Sequence, residues 1–444
     1  MARLFGTDGI RGVAGEDLTS ELAFSLGRAA VLALGREVDG RPSFVVGRDT
    51  RASGEFLEKA LVEGISSAGG DALVAGVQTT PAVAFLTVDL GATSGVVISA
   101  SHNPPEDNGI KFFGQNGYKL PDKVEDEIEL MLGDGAWGLR DADPGVLRVL
   151  EGAGGRYLAH LRRAAEAPLV GWKIVIDCAN GAASEAGPEA FRQLGAEVHP
   201  LFDRPDGTNI NDGCGALHPD VVAAHVVRIG ADAGVALDGD ADRALFSDAA
   251  GNVVDGDQVL AALALSMHEE KRLPHDRVVT TVMSNLGLLR AMEEAGIEVR
   301  TTAVGDRYVI EEMLSSGATL GGEPSGHVIL ADHATTGDGL LAAVKFLSVA
   351  ARRGETVEGL AASMTRFPQL LENVRVRDRA ELDEAEPVWE AVRAAEAALG
   401  RSGRVLVRAS GTEPLVRVMV EAESEADAAR HASAITERVR AVLG

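Results

Sequence analysis

In "VALDGDADR" an apolar run ends in Asp238, Asp240 and Asp242, two residues apart. Alternate residues of an extended segment point the same way. Three carboxylates are thus forced together, and their repulsion calls for a counter-charge. A hard divalent cation such as Mg²⁺, which takes oxygen ligands, is the natural one. The plain alternative is a solvated acidic turn. A calcium loop of the EF-hand kind fails, because Arg243 stands where glycine is required and Ala249 where the bidentate glutamate belongs.

Four further stretches could carry chemistry. In "RASGTEPLVRV", Arg408 ends a strand, Ser410, Gly411 and Thr412 form a polar turn, and Arg417 returns on the next strand. Hydroxyls and backbone N–H groups in a glycine turn make an anion-binding nest, and arginine adds donors matched to phosphate. "FGTDGIRG" and "GRDTRASGEF" supply Arg11, Arg48 and Arg51 near glycine turns, with Ser53 placed to cap the helix that follows. "GGEPSGHVIL" offers Glu323, Ser325 and His327 two apart at a strand edge, suited to sugar hydroxyls, phosphate or proton movement. "SGVVISASHNPPEDNGIKFF" ends an apolar strand on Ser101 and returns with Lys111. In open α/β sheets ligands bind at such strand ends. Each stretch also reads as an ordinary polar turn.

The bulk properties narrow the class. The 444 residues are 45% hydrophobic and 25% charged, which suits about three globular domains. With 42 basic against 67 acidic residues the net charge is −25, so no nucleic-acid footprint is expected and arginines near glycine turns look placed. Two cysteines without a CxxC argue against a disulfide scaffold or structural zinc. No apolar leader or membrane-length run is visible, which predicts a soluble, cytoplasmic protein that engages no membrane. The sequence contains no "GK" dipeptide, HExxH or GxSxG. A Walker loop and the usual lipase nucleophile are therefore excluded.

The elements that must position these residues alternate between strand and helix. "SFVVGRD", "DALVAG" and "SGVVISA" read as strands around the helix "SGEFLEKALVEGISSAG". A second round runs from "WKIVIDCAN" to "AGVALDG", and a third from "DRVVTTVMSN" to "DRYVIEEMLSSG". This predicts three similar α/β domains. The tail reads β-α-β-β-α, a small α+β domain, with Ser424 and Asp427 placed to cap its last helix. Boundaries fall near 153, 253 and 366, giving domains 1–153, 154–253, 254–366 and 367–444.

Together and in this order, "GTDGIRG", "SASHNP…DNGIK", "DGDADR", "GEPSGH" and "RASGTEP" resemble the α-D-phosphohexomutase family along essentially the whole chain. The resemblance implies three related α/β domains and a C-terminal domain of TATA-box-binding-protein-like fold around a central cleft. It implies that Ser101 is a phosphorylated serine, and that Mg²⁺ is held by Asp238, Asp240, Asp242 and a Ser101 phosphate oxygen. Glu323 and Ser325 would bind sugar. Arg408, Ser410, Gly411, Thr412 and Arg417 would bind the distal phosphate. Arg11, His102, Lys111 and Arg243 would lie close to the transferring phosphate, with Lys111 or His327 as proton acceptor. "GTNINDGCGALHP", "TVMSNLGL" and "DHATTGDGL" are similar to the branch that interconverts glucosamine 6-phosphate and glucosamine 1-phosphate, toward UDP-N-acetylglucosamine and the cell wall. The implied intermediate is glucosamine 1,6-bisphosphate, with glucose 1,6-bisphosphate as an alternative primer. Pro324 departs from that branch, which usually shows glutamine there. Branches acting on mannose or glucose phosphates are the nearest alternative, and a non-catalytic sugar-phosphate-binding protein a remote one. The expected partner is a small hexose phosphate, and the expected state a monomer or homodimer.

Overall fold

The computed structural model describes residues 3–6, 8–133, 143–410 and 413–444. It divides into two compact units, Met1–Val282 with Ile297–Ala362, and Met283–Gly296 with Ser363–Gly444.

Three sheets follow one another through the first unit. The first has the spatial order Ile10–Val13, Asp107–Gly114, Ser94–Ile98, Ser43–Arg48, Asp71–Val77, Leu147–Val149. Its last four strands are parallel, whereas Asp107–Gly114 returns antiparallel beside Ser94–Ile98. The second sheet has the order Val253–Val254, Ala244–Asp248, Ala233–Leu237, Lys173–Asp177, Glu197–Leu201. Its last three strands are parallel, and Ala244–Asp248 returns antiparallel beside Ala233–Leu237. In the third, Glu298–Thr302, Arg277–Thr281 and Leu320–Gly322 are parallel and Val328–Leu330 returns antiparallel beside Leu320–Gly322. The three α/β modules expected from the sequence thus share one plan. A parallel strand runs out into a short loop and comes straight back as its antiparallel neighbour.

Why these segments form central strands is visible in their burial. All five residues of Ser94–Ile98 and of Ala233–Leu237 are buried. A strand covered on both faces reads as a continuous apolar run rather than an alternating one. Helices supply the cover. Ser20–Leu34 starts where Thr19 accepts a hydrogen bond from the Leu22 N–H. Its neighbour, Ser53–Ser67, begins after Ala52 without a side-chain cap. The expected capping role of Ser53 is therefore wrong. Ser53 is already inside the first turn, and its hydroxyl accepts from Asn108 Nδ2 at 2.9 Å.

Those two helices approach closely through small residues. A Cβ added at Gly64 would lie 2.1 Å from the Phe24 carbonyl oxygen, and one at Gly27 2.3 Å from that of Leu61. Contact this close is available only without a side chain.

The second unit holds an antiparallel sheet in the order Gln369–Arg375, Leu415–Ala422, Gly403–Ala409. Helices Glu386–Leu399 and Glu425–Leu443 share its core, which includes Val388, Val392, Val418, Val420, Ile435 and Val439. This is the β-α-β-β-α order read from the tail. Ser424 caps the last helix by accepting from the Asp427 N–H at 3.1 Å, as expected. Buried Glu421 accepts from Arg404 Nε at 2.8 Å and from the Leu286 N–H at 3.2 Å, tying helix Leu286–Ala295 to this unit. Among the described residues no helix is long and apolar enough to cross a membrane.

Gly64→Ala is expected to destabilise the first sheet's cover by about 1–3 kcal/mol, because the added methyl must push backbone rather than a flexible side chain. Calorimetric unfolding checks this; an unchanged or raised Tm would contradict the packing argument.

Candidate active site

The loop after Ser94–Ile98 is held by its backbone, which frees the Ser101 side chain. Arg51 is fully buried and pairs with Asp49, Nε to Oδ2 at 2.9 Å. Its other nitrogens donate to the carbonyls of Ser101 at 3.0 Å, Asn103 at 2.8 Å, and Pro104. Asn211 Nδ2 donates to the same Ser101 and Asn103 carbonyls at 2.9 and 3.1 Å. Ser99 accepts from the Ser101 N–H at 3.0 Å. So constrained, Ser101 takes a left-handed backbone with φ 52°, a conformation uncommon for non-glycine residues.

The aspartate loop follows Ala233–Leu237. Ser101 Oγ donates to Asp238 Oδ2 at 2.6 Å. His102 Nδ1 lies 3.1 Å from the same Oγ. The serine's one proton is directed at Asp238, so this contact reads as His102 Nδ1–H donating. Burial, then Arg243 and Arg11, push the His102 pKa down. Asp240 Oδ2 accepts from Thr80 Oγ1 at 2.7 Å and Lys111 Nζ at 3.1 Å. Lys111 also meets Asp8 Oδ2 at 3.0 Å. Burial alone would lower the lysine's pKa, but Asp240 and Asp8 outweigh it and hold Lys111 as a cation.

This loop fits a divalent cation. The three aspartates are buried, and one ligand oxygen from each lies within 4.8 Å of the others. Asp240 Oδ1 and Asp242 Oδ1 are buried without a hydrogen-bond partner. Burial and the charges of Asp242 and Asp240 push Asp238 well above the usual carboxylate range. Burial pushes Asp242 up as well, yet His327, Lys111 and Arg243 more than reverse it. Oxygen donors with spare lone pairs, crowded by mutual repulsion, are what a hard cation requires.

The third loop follows Leu320–Gly322. Glu323 Oε1 accepts from the Gly305 N–H at 3.1 Å. His327 Nε2 accepts from the Gly337 N–H at 3.2 Å, and its Nδ1 lies 3.6 Å from Asp242 Oδ2. A cavity of about 440 Å³ is lined by Asp8, Arg11, His102, Asp242, Arg243, Asp306, Glu323 and His327. Ser325 is not among its lining residues; its hydroxyl is buried without a partner. Another cavity, of about 880 Å³ around Gln78, Gly154 and Arg192, contains none of these residues.

Of the arginines at glycine turns, only Arg11 reaches this cavity, where it bonds Asp8 and Asn103. Arg48 lies 3.5 Å from Glu55 and 3.4 Å from Glu58, and Arg51 clamps the serine loop. Sequence reasoning overlooked Asp8, Thr80, Lys119, Asn211 and Asp306. Asp8 stands in "GTDG" three residues before Arg11, and that spacing was its only visible signal.

In the C-terminal unit Arg408 and Arg417 face each other across the antiparallel pair, and neither Nε has a hydrogen-bond partner. Burial, then Arg417, lowers the Arg408 pKa. Ser410 is buried and its Oγ accepts from the Glu413 N–H at 3.3 Å. Two neighbouring guanidiniums at a turn are poised for an anion. Gly411 and Thr412 lie outside the described residues.

Comparison with known proteins matches this arrangement to one family throughout. Models of the phosphoglucomutase/phosphomannomutase family match in order: alpha/beta/alpha domain I at residues 2–135, domain II at 155–251, domain III at 255–367 and the C-terminal domain at 371–438. Phosphoglucosamine mutase of Saccharopolyspora erythraea is 54% identical over 443 residues, covering 100% of both chains. That of Thermobifida fusca is 53% identical, covering 100% of this chain and 98% of its own. Among solved structures, a phosphoglucomutase/phosphomannomutase family protein from Burkholderia thailandensis superposes with a TM-score of 0.82 at 26% identity, over 99% of this chain and 97% of that one. Aspergillus fumigatus N-acetylphosphoglucosamine mutase, solved with GlcNAc-6P and magnesium, shares the fold, with a TM-score of 0.67 at 18% identity over 99% of this chain and 96% of its own. With all four family domains matched in order and relatives more than half identical end to end, the chain belongs to the phosphoglucomutase/phosphomannomutase family, among its phosphoglucosamine mutases.

Proposed function

We propose that the chain interconverts glucosamine 6-phosphate and glucosamine 1-phosphate, with Ser101 as the phosphate carrier. The observation that carries this reading is Ser101 Oγ, held 2.6 Å from Asp238 at the mouth of an aspartate triad. The names of relatives more than half identical over the whole chain support the sugar.

Phosphoryl transfer is chiefly positioning and charge stabilisation. Phospho-Ser101 gives its phosphoryl group to the free O1 or O6 of the bound sugar phosphate. The P–O bond to serine breaks as the bond to sugar forms, and the proton lost by the sugar hydroxyl ends on the departing serine oxygen, regenerating the Ser101 hydroxyl. The bisphosphorylated sugar, glucosamine 1,6-bisphosphate, turns around and returns its other phosphate to Ser101. Glucose 1,6-bisphosphate would serve as primer by the same chemistry. Asp238, Asp240, Asp242 and an oxygen of phospho-Ser101 would hold Mg²⁺. Bound there, the ion supplies charge neutralisation for the departing serine oxygen.

Arg11 and Arg243 offer guanidinium donors to nonbridging oxygens in the cavity. Lys111, fixed as a cation between Asp240 and Asp8, contributes charge rather than basicity. His327 has a neighbour at both ring nitrogens, which suits positioning better than proton uptake. Glu323 takes sugar hydroxyls. In the C-terminal unit, Arg408, Ser410, Gly411, Thr412 and Arg417 take the phosphate that is not reacting. The product would feed UDP-N-acetylglucosamine and cell-wall precursors in the cytoplasm.

Ser101→Ala should lose nearly all mutase activity while still binding glucosamine 6-phosphate. Turnover at the wild-type rate would rule out Ser101 as carrier. Chelation should abolish activity, with Mg²⁺ restoring it, and Asp240→Asn should need far more Mg²⁺ for half-maximal rate. An unchanged metal requirement in that variant would remove Asp240 from the ligand set. Arg408→Ala should weaken binding of both isomers alike, by about 10-fold or more for a lost charge-assisted pair; calorimetric titration reads this, and unchanged affinity would reject the phosphate loop.

A further inference from the structure

The mechanism leaves one of the cavity's carboxylates, Asp306, without a role, and uses its neighbour Asp8 only to hold Lys111. Both already hold an ammonium group. Lys119 Nζ bridges Asp8 Oδ1 and Asp306 Oδ2 at 2.5 Å each. Burial opposes the charge on Asp306, yet Lys119 and His327 keep its carboxyl below the usual range. Asp306 Oδ1 accepts only from the Arg307 N–H, at 2.8 Å, among the described residues. Each carboxylate oxygen has two acceptor directions, so one remains open on each Asp306 oxygen.

Asp306 is also fixed beside the sugar-binding glutamate. Its predecessor Gly305 adopts φ 133°, which would strain any other residue, and points its N–H at Glu323 Oε1. Among the described residues that is the one hydrogen bond to the Glu323 side chain. Arg307 next along bonds the Leu120 carbonyl at 2.8 Å and the Asp122 carboxylate, anchoring this turn to the first module. The cavity therefore has a cationic flank at Arg11 and Arg243, suited to phosphate, and an acidic flank at Asp306 and Glu323. The acidic flank keeps acceptor directions beyond those taken by Lys119, the Arg307 N–H and the Gly305 N–H, with His327 Nε2 at 3.9 Å from Asp306 Oδ2 as its next nearest basic neighbour.

We infer that Asp306, beside Glu323, recognises the protonated 2-amino group of an aminosugar phosphate and sets preference for it over the 2-hydroxyl sugar. This rests on the proposed reaction. An ammonium makes charge-assisted hydrogen bonds to a carboxylate that a hydroxyl matches only weakly. A site built around such a pair discriminates strongly against the analogue that lacks it.

The test compares glucosamine 6-phosphate with glucose 6-phosphate on the full chain. Asp306→Asn keeps the shape and removes the charge. It should lower the ratio of kcat/KM for glucosamine 6-phosphate over glucose 6-phosphate by about 10- to 100-fold, mainly through KM. Losses equal for both sugars would make Asp306 only an anchor and overturn the inference, as would an unmoved ratio. Should that variant fail to fold, Lys119→Gln serves instead. It removes the competing ammonium and leaves the carboxylate, so the ratio should hold or rise; a fall as large as that expected for Asp306→Asn would overturn the assignment. A wild-type chain active on glucose 6-phosphate and inactive on glucosamine 6-phosphate would instead count against the proposed reaction.

Discussion

Three buried carboxylates that converge on one point set the terms for everything around them. Burying one carboxylate is costly, and burying three together multiplies the cost unless cations compensate. The structure answers with Lys111 on Asp240, Arg243 3.7 Å from Asp242, and the Ser101 proton on Asp238. Each answer creates a further demand. Lys111 is itself buried and needs Asp8; Asp8 then takes Lys119; Lys119 reaches Asp306. Charges of alternating sign thus run from the aspartate loop of the second module, through the first, to the third. Removing any member takes one counter-charge from each of its neighbours in a low dielectric.

That chain of charges works because one backbone device is used repeatedly. Each α/β module ends its central parallel strand in a short loop and returns antiparallel, fixing both ends of the loop by strand hydrogen bonds. In the C-terminal unit Gly403–Ala409 and Leu415–Ala422 are likewise successive strands paired antiparallel, although Gly403–Ala409 is an edge strand of a sheet whose described pairings are all antiparallel. Loops pinned at both ends tolerate strain. Ser101 and Ala241 both sit in the left-handed region, with φ 52° and 57°. The cost of such a conformation, about 1–3 kcal/mol each, persists only where the surroundings over-determine it. For Ser101 those surroundings are Arg51, Asn211 and Ser99. Their polar groups are spent on the loop's backbone, so none competes for the serine oxygen.

Much of this was legible in the sequence because it rests on local pattern. Ser94–Ile98 and Ala233–Leu237 read as strands since burial on both faces demands an unbroken apolar run. The aspartates were legible by their spacing, but the extended segment expected for them is a turn, with Ala241 at φ 57° and its N–H donating to the Asp238 carbonyl. Arg51 was misjudged for a physical reason: an arginine at a strand end looks the same whether it meets an anion or clamps carbonyls. Ser53 was misjudged because a cap and a first-turn residue differ by a single position. Lys119 and Asp306 left no trace, being 187 positions apart and joined only by the packing of two modules. Local pattern finds the loops; the ion pairs between them belong to the fold.

Phosphorylation of Ser101 would change this balance rather than merely add to it. The serine now donates to Asp238. A phosphoserine has no such proton and brings about −1.5 to −2 charges to the same spot. Asp238 would then face an anion instead of a donor, with its own repulsion from Asp240 and Asp242 undiminished. Lys111 is already committed to Asp240 and Asp8, and Arg11 to Asp8 and Asn103. The Nε groups of Arg11 and Arg243, buried without hydrogen-bond partners, are the resident donors left to meet the added charge. A cation on the open oxygens of Asp240 and Asp242 would add to them. The two buried oxygens without partners are thus the structural counterpart of the phosphate the serine is proposed to carry.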